Sequence, residues 1–178
     1  MNYSFHRAIG DLFGEEDFKG FKIVKDTACG GSQHLPLFSG EKSFETRLCD
    51  VDLLMIDKKT NKVKLIMEIE ESDVKPNQIC GKFLTSTLAN CYYPPGEKNP
   101  IGMDESLLFI QILNTEKIEK DKSKKIKQWK LLEQLISGLL PGVGSHIGRY
   151  RLFYGSESDF REGKARKELM ESVKEFLC

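Results

Sequence analysis

Two apolar runs, 47–57 (RLCDVDLLMID) and 62–70 (KVKLIMEIE), flank the short polar stretch Lys58, Lys59, Thr60 and Asn61. Runs of this length and β-branched content joined by a polar turn predict two strands of a hairpin. Side chains alternate across a strand, so Val63, Leu65, Met67 and Ile69 share one face and Lys64, Ile66, Glu68 and Glu70 the other. Four carboxylates, Asp50, Asp52, Glu68 and Glu70, are embedded in this otherwise apolar pair.

That embedding is the main chemical signal. Asp50 and Asp52 are two residues apart and so point to one side of their strand, as do Glu68 and Glu70. Paired strands lie about 4.8 Å apart, which lets Asp52 and Glu68 share one oxygen-lined pocket. An uncompensated charge among apolar neighbours is costly. A hard cation such as Mg²⁺ is the simplest compensation, because it prefers carboxylate, carbonyl and water oxygen. The competing interpretation is a solvated strand face whose acids pair with Arg47, Lys62 and Lys64. Asp50 competes with Asp52 for the same role, and Asp52 is preferred because the unbroken apolar run begins directly after it.

The remaining sequence frames this pair. Phe5, Ala8, Ile9, Leu12 and Phe13 have the spacing of a short helix that Gly14 is placed to end, and 21–24 (FKIV) predicts a strand. The Gly, Ser and Pro content of 29–40 predicts a loop, as does 92–100 (YYPPGEKNP). A helix is expected after the hairpin, capped by Asp73, with Pro76 in its first turn and an apolar stripe of Ile79, Phe83, Leu84 and Leu88. Then come a buried strand at 107–113, a basic helix with a stripe at Ile126, Trp129, Leu132, Ile136 and Leu139, and a strand at 149–154. A closing helix carries Ala165, Leu169, Val173 and Phe176. The order α-β-β-β-α-β-α-β-α predicts an α/β sandwich around a mixed sheet. One domain suits 178 residues.

On these residues the chain resembles the PD-(D/E)XK nuclease superfamily, to which many type II restriction endonucleases belong. The resemblance rests on Asp52-Leu-Leu-Met-Ile, a turn, Leu65-Ile-Met-Glu68-Ile-Glu70, and the position of these acids on the second and third strands before a helix. It implies a restriction-endonuclease-like three-layer sandwich, a mixed central β-sheet flanked by helices with an α-β-β-β-α-β core over about 1–113. Residues 114–178 would then be an α-β-α elaboration. It further implies a metal-dependent DNA endonuclease, with Mg²⁺, or Mn²⁺ as a substitute, held by Asp52, Glu68, the backbone carbonyl of Ile69 and Glu70. Glu70 stands where the family usually has lysine, and Val51 where proline is frequent. The lysine's role then falls to Lys82 on the following helix or to Lys75 just before it, and Gln78 is a further candidate for holding substrate or water. An acid of the first helix often faces the family's site; Asp11, Glu15 and Glu16 are available. A homodimer is the family's common state.

Charge and composition set bounds on partners. Lys plus Arg and Asp plus Glu are each 27, so there is no net charge to mark a nucleic-acid binder. The charge is segregated, however. Residues 116–130 carry seven Lys against three acids, while 41–73 carry nine acids against six bases. A lysine-rich helix beside an acidic pocket suits a polyanion such as DNA. Five cysteines without C-x-x-C spacing, and the scattered His6, His34 and His146, speak against a zinc ribbon or an H-N-H nuclease. No apolar run is long enough to span a membrane and no leader is recognisable, so a cytoplasmic protein is expected. Two alternatives are a catalytically inactive nuclease-fold DNA-binding subunit, favoured by the missing lysine at position 70, and a glycosidase using Glu68 and Glu70, disfavoured by the scarcity of aromatics for a sugar site.

Overall fold

The polypeptide alternates helices and strands around a sheet that is buried on both sides. A computed structural model describes residues 4–14, 17–118, 120–142 and 144–177. In chain order the elements are α1 (Ser4–Gly10), β1 (Phe21–Lys25), β2 (Pro36–Phe38), β3 (Arg47–Asp50), β4 (Leu53–Asp57), β5 (Lys62–Glu70), α2 (Pro76–Thr87), β6 (Cys91–Tyr92), β7 (Ile101–Asn114), α3 (Lys122–Ser137), β8 (Ile147–Gly155), α4 (Glu157–Arg161) and α5 (Lys164–Leu177). The chain is thus a mixed α/β protein with an eight-stranded mixed sheet.

β1, β4 and β5 form an antiparallel meander, β7 lies parallel to β5, and β8 lies parallel to β7. The start of the fourteen-residue β7 also pairs with β6, which leads through β2 to β3 and makes a small antiparallel sheet beside the main one. Apolar side chains alternate to opposite faces, so the sheet supports two cores. Leu53, Met55, Leu65, Met67, Ile110 and Ile112 meet α1, α4 and α5 through Phe5, Ile9, Phe160, Leu169 and Val173. On the other face Leu54, Ile66, Phe109, Tyr150 and Leu152 meet α2 and α3 through Ile79, Phe83, Trp129 and Ile136.

Several expectations are corrected. The run 47–57 is not one strand: it breaks at Val51 and Asp52, where the chain leaves β2 for β5. Val51 N–H donates to the Leu35 carbonyl and Asp52 N–H to that of Met67, so the partner changes between adjacent residues. Asp50 and Asp52 therefore do not share a face; Asp50 is exposed and pairs with Arg47. The expected loops contain strands, β2 within 29–40 and β6 at the start of 92–100, while 107–113 is only part of β7. A register irregularity between Val63 and Leu65 turns Val63 to the Ile66 side. α1 ends at Gly10 rather than Gly14. Asp73 does not cap α2; Lys75 is the cap residue and its N–H donates to the Gln78 side chain. Leu84, Leu88 and Leu139 are exposed, not part of the stripes. Glu15, Glu16 and Cys178 lie outside the described residues.

Gly10 fixes how closely α1 approaches the loop after β1. A Cβ there would collide with the Cys29 carbonyl. Gly10→Ala is therefore expected to destabilise the protein by about 1–3 kcal/mol, although alanine favours a helix by about 1 kcal/mol. Urea unfolding of the two proteins checks this; an unchanged or higher midpoint would contradict the close approach.

Candidate active site

The antiparallel register Leu53↔Met67 sets Asp52 across from Glu68 at the end of the β4–β5 pair. Asp52 Oδ2 accepts the Ile69 N–H at 2.6 Å, which fixes that carboxylate against the β5 backbone. Ile69 itself pairs with Ile112 of β7. Glu68 is 1% exposed. Its Oε2 accepts from Lys82 Nζ at 2.8 Å, and the same ammonium lies 2.9 Å from Glu70 Oε1. Glu68 Oε1 is buried without a hydrogen-bond partner. A buried, orphaned carboxylate oxygen is the donor that a cation would satisfy.

α2 delivers Lys82, and its position is set by a buried polar chain. Gln111, the β7 partner of Glu68, donates its amide to the Ile79 carbonyl of α2 and accepts the Tyr150 hydroxyl at 2.6 Å. Phe83 of α2 packs edge-on against the Tyr150 ring. Gln78 is exposed, with its side-chain oxygen occupied by the Lys75 N–H at the helix start. Of the two lysines nominated from the sequence, Lys82 stands at the carboxylates, whereas Lys75 is an exposed cap residue.

The structure brings in a residue that sequence reasoning set aside. His6 Nδ1 is 3.0 Å from Glu71 Oε1, which also accepts the backbone N–H groups of Phe5 and His6. The other ring nitrogen, Nε2, is directed at Asp52, 3.7 Å from Oδ1. Carboxylate-anchored imidazoles of this kind are characteristic of metal ligands. The one available cue was Glu71, directly after Glu70, but nothing local links it to a residue 65 positions earlier. Asp11, the one of the three acids offered for the first helix that lies among the described residues, follows the end of α1 and pairs with Arg7 on the surface.

Burial dominates the electrostatics. It pushes Glu68 up to about 8, with Lys82 opposing and Asp52 and Glu70 adding repulsion. Asp52 is likewise raised by burial, against the pull of His6, the Ile69 N–H and Lys82. Burial works against the Lys82 charge too, yet Glu68 and Glu70 together hold its ammonium well above the ordinary lysine value. Asp52, Glu68 and His6 carry the oxygen and nitrogen atoms here that could hold a cation, while among the described residues the ligand atoms that already lie within 4.8 Å of one another are those of Asp26, Cys29 and Asp52. A cavity of about 550 Å³ bounded by Lys130, Glu133, Arg151 and Lys164 lies elsewhere and includes none of these groups.

Comparison of the chain with models of known protein families, with curated proteins and with solved structures yields no match. Among the described residues no helix is long and apolar enough to cross a membrane.

The Glu68 shift has a signed consequence for stability. Between its ordinary value of 4.5 and about 8, folded Glu68 binds more protons than unfolded Glu68, so stability falls as pH rises through that window. Without divalent cations, the melting temperature of the wild type should drop from about pH 5 to about pH 8 more steeply than that of Glu68→Gln. Parallel curves would show that Glu68 is not strained by burial.

Proposed function

We propose that the protein is a metal-dependent nuclease of the PD-(D/E)XK type acting on DNA. The observation that carries this reading is the pairing of Asp52 with a buried Glu68 whose second oxygen has no partner, beside the Lys82 ammonium. The fold supports it: α1, β1, β4, β5, α2 and β7 follow the α-β-β-β-α-β order, with β2 and β3 inserted between the first two core strands and β6 between α2 and β7. The basic helix supports it as well. Lys125 pairs with Asp73 at 3.0 Å, which ties the lysine-rich start of α3 to the segment leaving the acidic strand. Exposed Lys122, Lys124 and Lys127 there offer countercharge for phosphates.

Asp52 and Glu68 would hold the cation, with His6 as a nitrogen donor kept in place by Glu71. When bound, the cation supplies Lewis-acid polarisation and charge neutralisation at a scissile phosphate. Lys82 places a fixed positive charge where negative charge develops on the phosphoryl oxygens. Glu70, at the family's lysine position, holds that ammonium from the strand side, so the lysine's role is met from α2.

Incubation of supercoiled and linear DNA with Mg²⁺ or Mn²⁺, and with EDTA, tests the reading. Cation-dependent cutting is expected, reduced at least about 100-fold in Glu68→Ala and in Lys82→Ala. Undiminished cutting by Glu68→Ala would refute the site. DNA binding without cutting by the wild type under every cation would make the chain a binding subunit instead.

A further inference from the structure

Exposed apolar surface on this molecule is concentrated on two neighbouring helices. Of the six exposed large apolar side chains among the described residues, five are leucines on α2, on α3 or just past their ends. Leu84, Leu88, Leu131, Leu135 and Leu139 are each 54–69% exposed. α2 and α3 touch one another and cover the same face of the sheet. Ile79 and Phe83 of α2, and Trp129 and Ile136 of α3, are buried toward that sheet, so the leucines stand on the outer side of both helices. Single leucines on a surface are ordinary, but five on two touching helices make a patch. We infer that this patch is the interface of a homodimer, in which α3 packs antiparallel on α3 of a second copy across a two-fold axis near Leu131.

Charge selects a second copy as the occupant. α3 carries Lys122, Lys124, Lys125, Lys127 and Lys130 toward its start, while its last turn, 134–137 (QLIS), has no basic side chain. Positive charge therefore crowds the end where the peptide dipoles are also positive, and the negative end is left without a cation. Asp121 and Asp73 meet Lys124 and Lys125, whereas Lys127 has no ion pair among the described residues. With the axis near Leu131, Leu131 meets its own copy and Lys127 meets Leu135 of the second copy. Helical side chains lean toward their own N-terminus, so the Lys127 stem runs over that leucine and its ammonium approaches the second copy's helix end. Gly138, which caps α3 there, puts no side chain in the way. A two-fold axis makes each of these contacts twice.

Leu84 and Leu88 widen the apolar strip, and Lys122 and Lys124 stay at its rim, open to phosphates. The patch is small beside the roughly 800 Å² per partner of a standard interface, so a dimer in the micromolar range is expected. This inference goes beyond the nuclease reading and does not depend on it.

Sedimentation of the full-length chain over a range of concentrations tests it. The dimer should form in the micromolar range and weaken about tenfold or more in Leu131→Glu. Helix content and melting temperature should stay unchanged there, because the side chain is exposed. Lys127→Glu should weaken the dimer about threefold. Packed helices lie about 8–10 Å apart, which leaves facing Cα atoms about 5 Å apart and within disulfide reach. Leu131→Cys should therefore cross-link to its copy on mild oxidation, well beyond the wild type with its exposed Cys80. Lys174→Cys, exposed on α5, should not. A monomer up to several hundred micromolar, or a dimer untouched by Leu131→Glu, would overturn the proposal. Cross-linking no greater in Leu131→Cys than in Lys174→Cys would do the same. So would uptake of the monomeric chain by vesicles containing phosphatidylserine, which would assign the lysine–leucine face to lipid.

Discussion

A glutamate with almost no access to water organises this molecule. Glu68 lies in the strand that has β4 on one side and β7 on the other, and its charge must be met by whatever the chain can bring to that spot. Lys82 meets one oxygen, and doing so requires α2 to lie at a defined height over the sheet. Gln111 and Tyr150 set that height with hydrogen bonds made entirely inside the protein, where an unmade bond would be expensive. The aromatic packing of Phe83, Phe109 and Tyr150 then follows as the apolar surround of a polar strut.

The second oxygen of Glu68, Asp52 opposite, and His6 anchored by Glu71 give the site a graded character. Asp52 accepts the Ile69 N–H of β5, His6 of α1 lies 3.7 Å from its other oxygen, and Asp26 and Cys29 present their atoms within 4.8 Å of it. A single aspartate therefore ties three segments of the chain together. α1, which carries His6, approaches the loop that carries Cys29 at Gly10, where only a residue without a side chain leaves room for the Cys29 carbonyl.

Much of this arrangement could be read from the chain alone, and the parts that could not share a cause. The alternation of 65–70 makes Glu68 and Glu70 face the same way, and the polar turn at 58–61 makes Asp52 the cross-strand neighbour of Glu68. Lys82 and Lys75 are candidates only through the resemblance, which asks for a lysine near position 70, and which of them reaches the carboxylates depends on how α2 lies over the sheet. By contrast, the break at Val51 and Asp52 is a change of hydrogen-bond partner within continuous apolar sequence, and apolarity does not encode partners. His6 with Glu71 and Asp26 with Asp52 join segments far apart in sequence through contacts that no periodicity announces. Leu84, Leu88 and Leu139 show the reverse error: helical spacing was right to expect a helix but not to expect that every leucine on it is covered.

The break at Val51 and Asp52 also has a mechanical meaning. Residues before it belong to the small sheet of β2, β3 and β6, and residues after it belong to the main sheet. Asp52 is the first residue on the main-sheet side of that change. The loop joining β2 to β3 projects from the small sheet with Phe44 91% exposed at its surface. Leu37, Val51 and Tyr92 nevertheless share one core with Leu54, Ile66 and Phe109, and β7 pairs with strands of both sheets. The small sheet is therefore braced three ways, through the chain at Asp52, through the shared core and along β7, and the carboxylate at the seam is held by both sheets rather than by one.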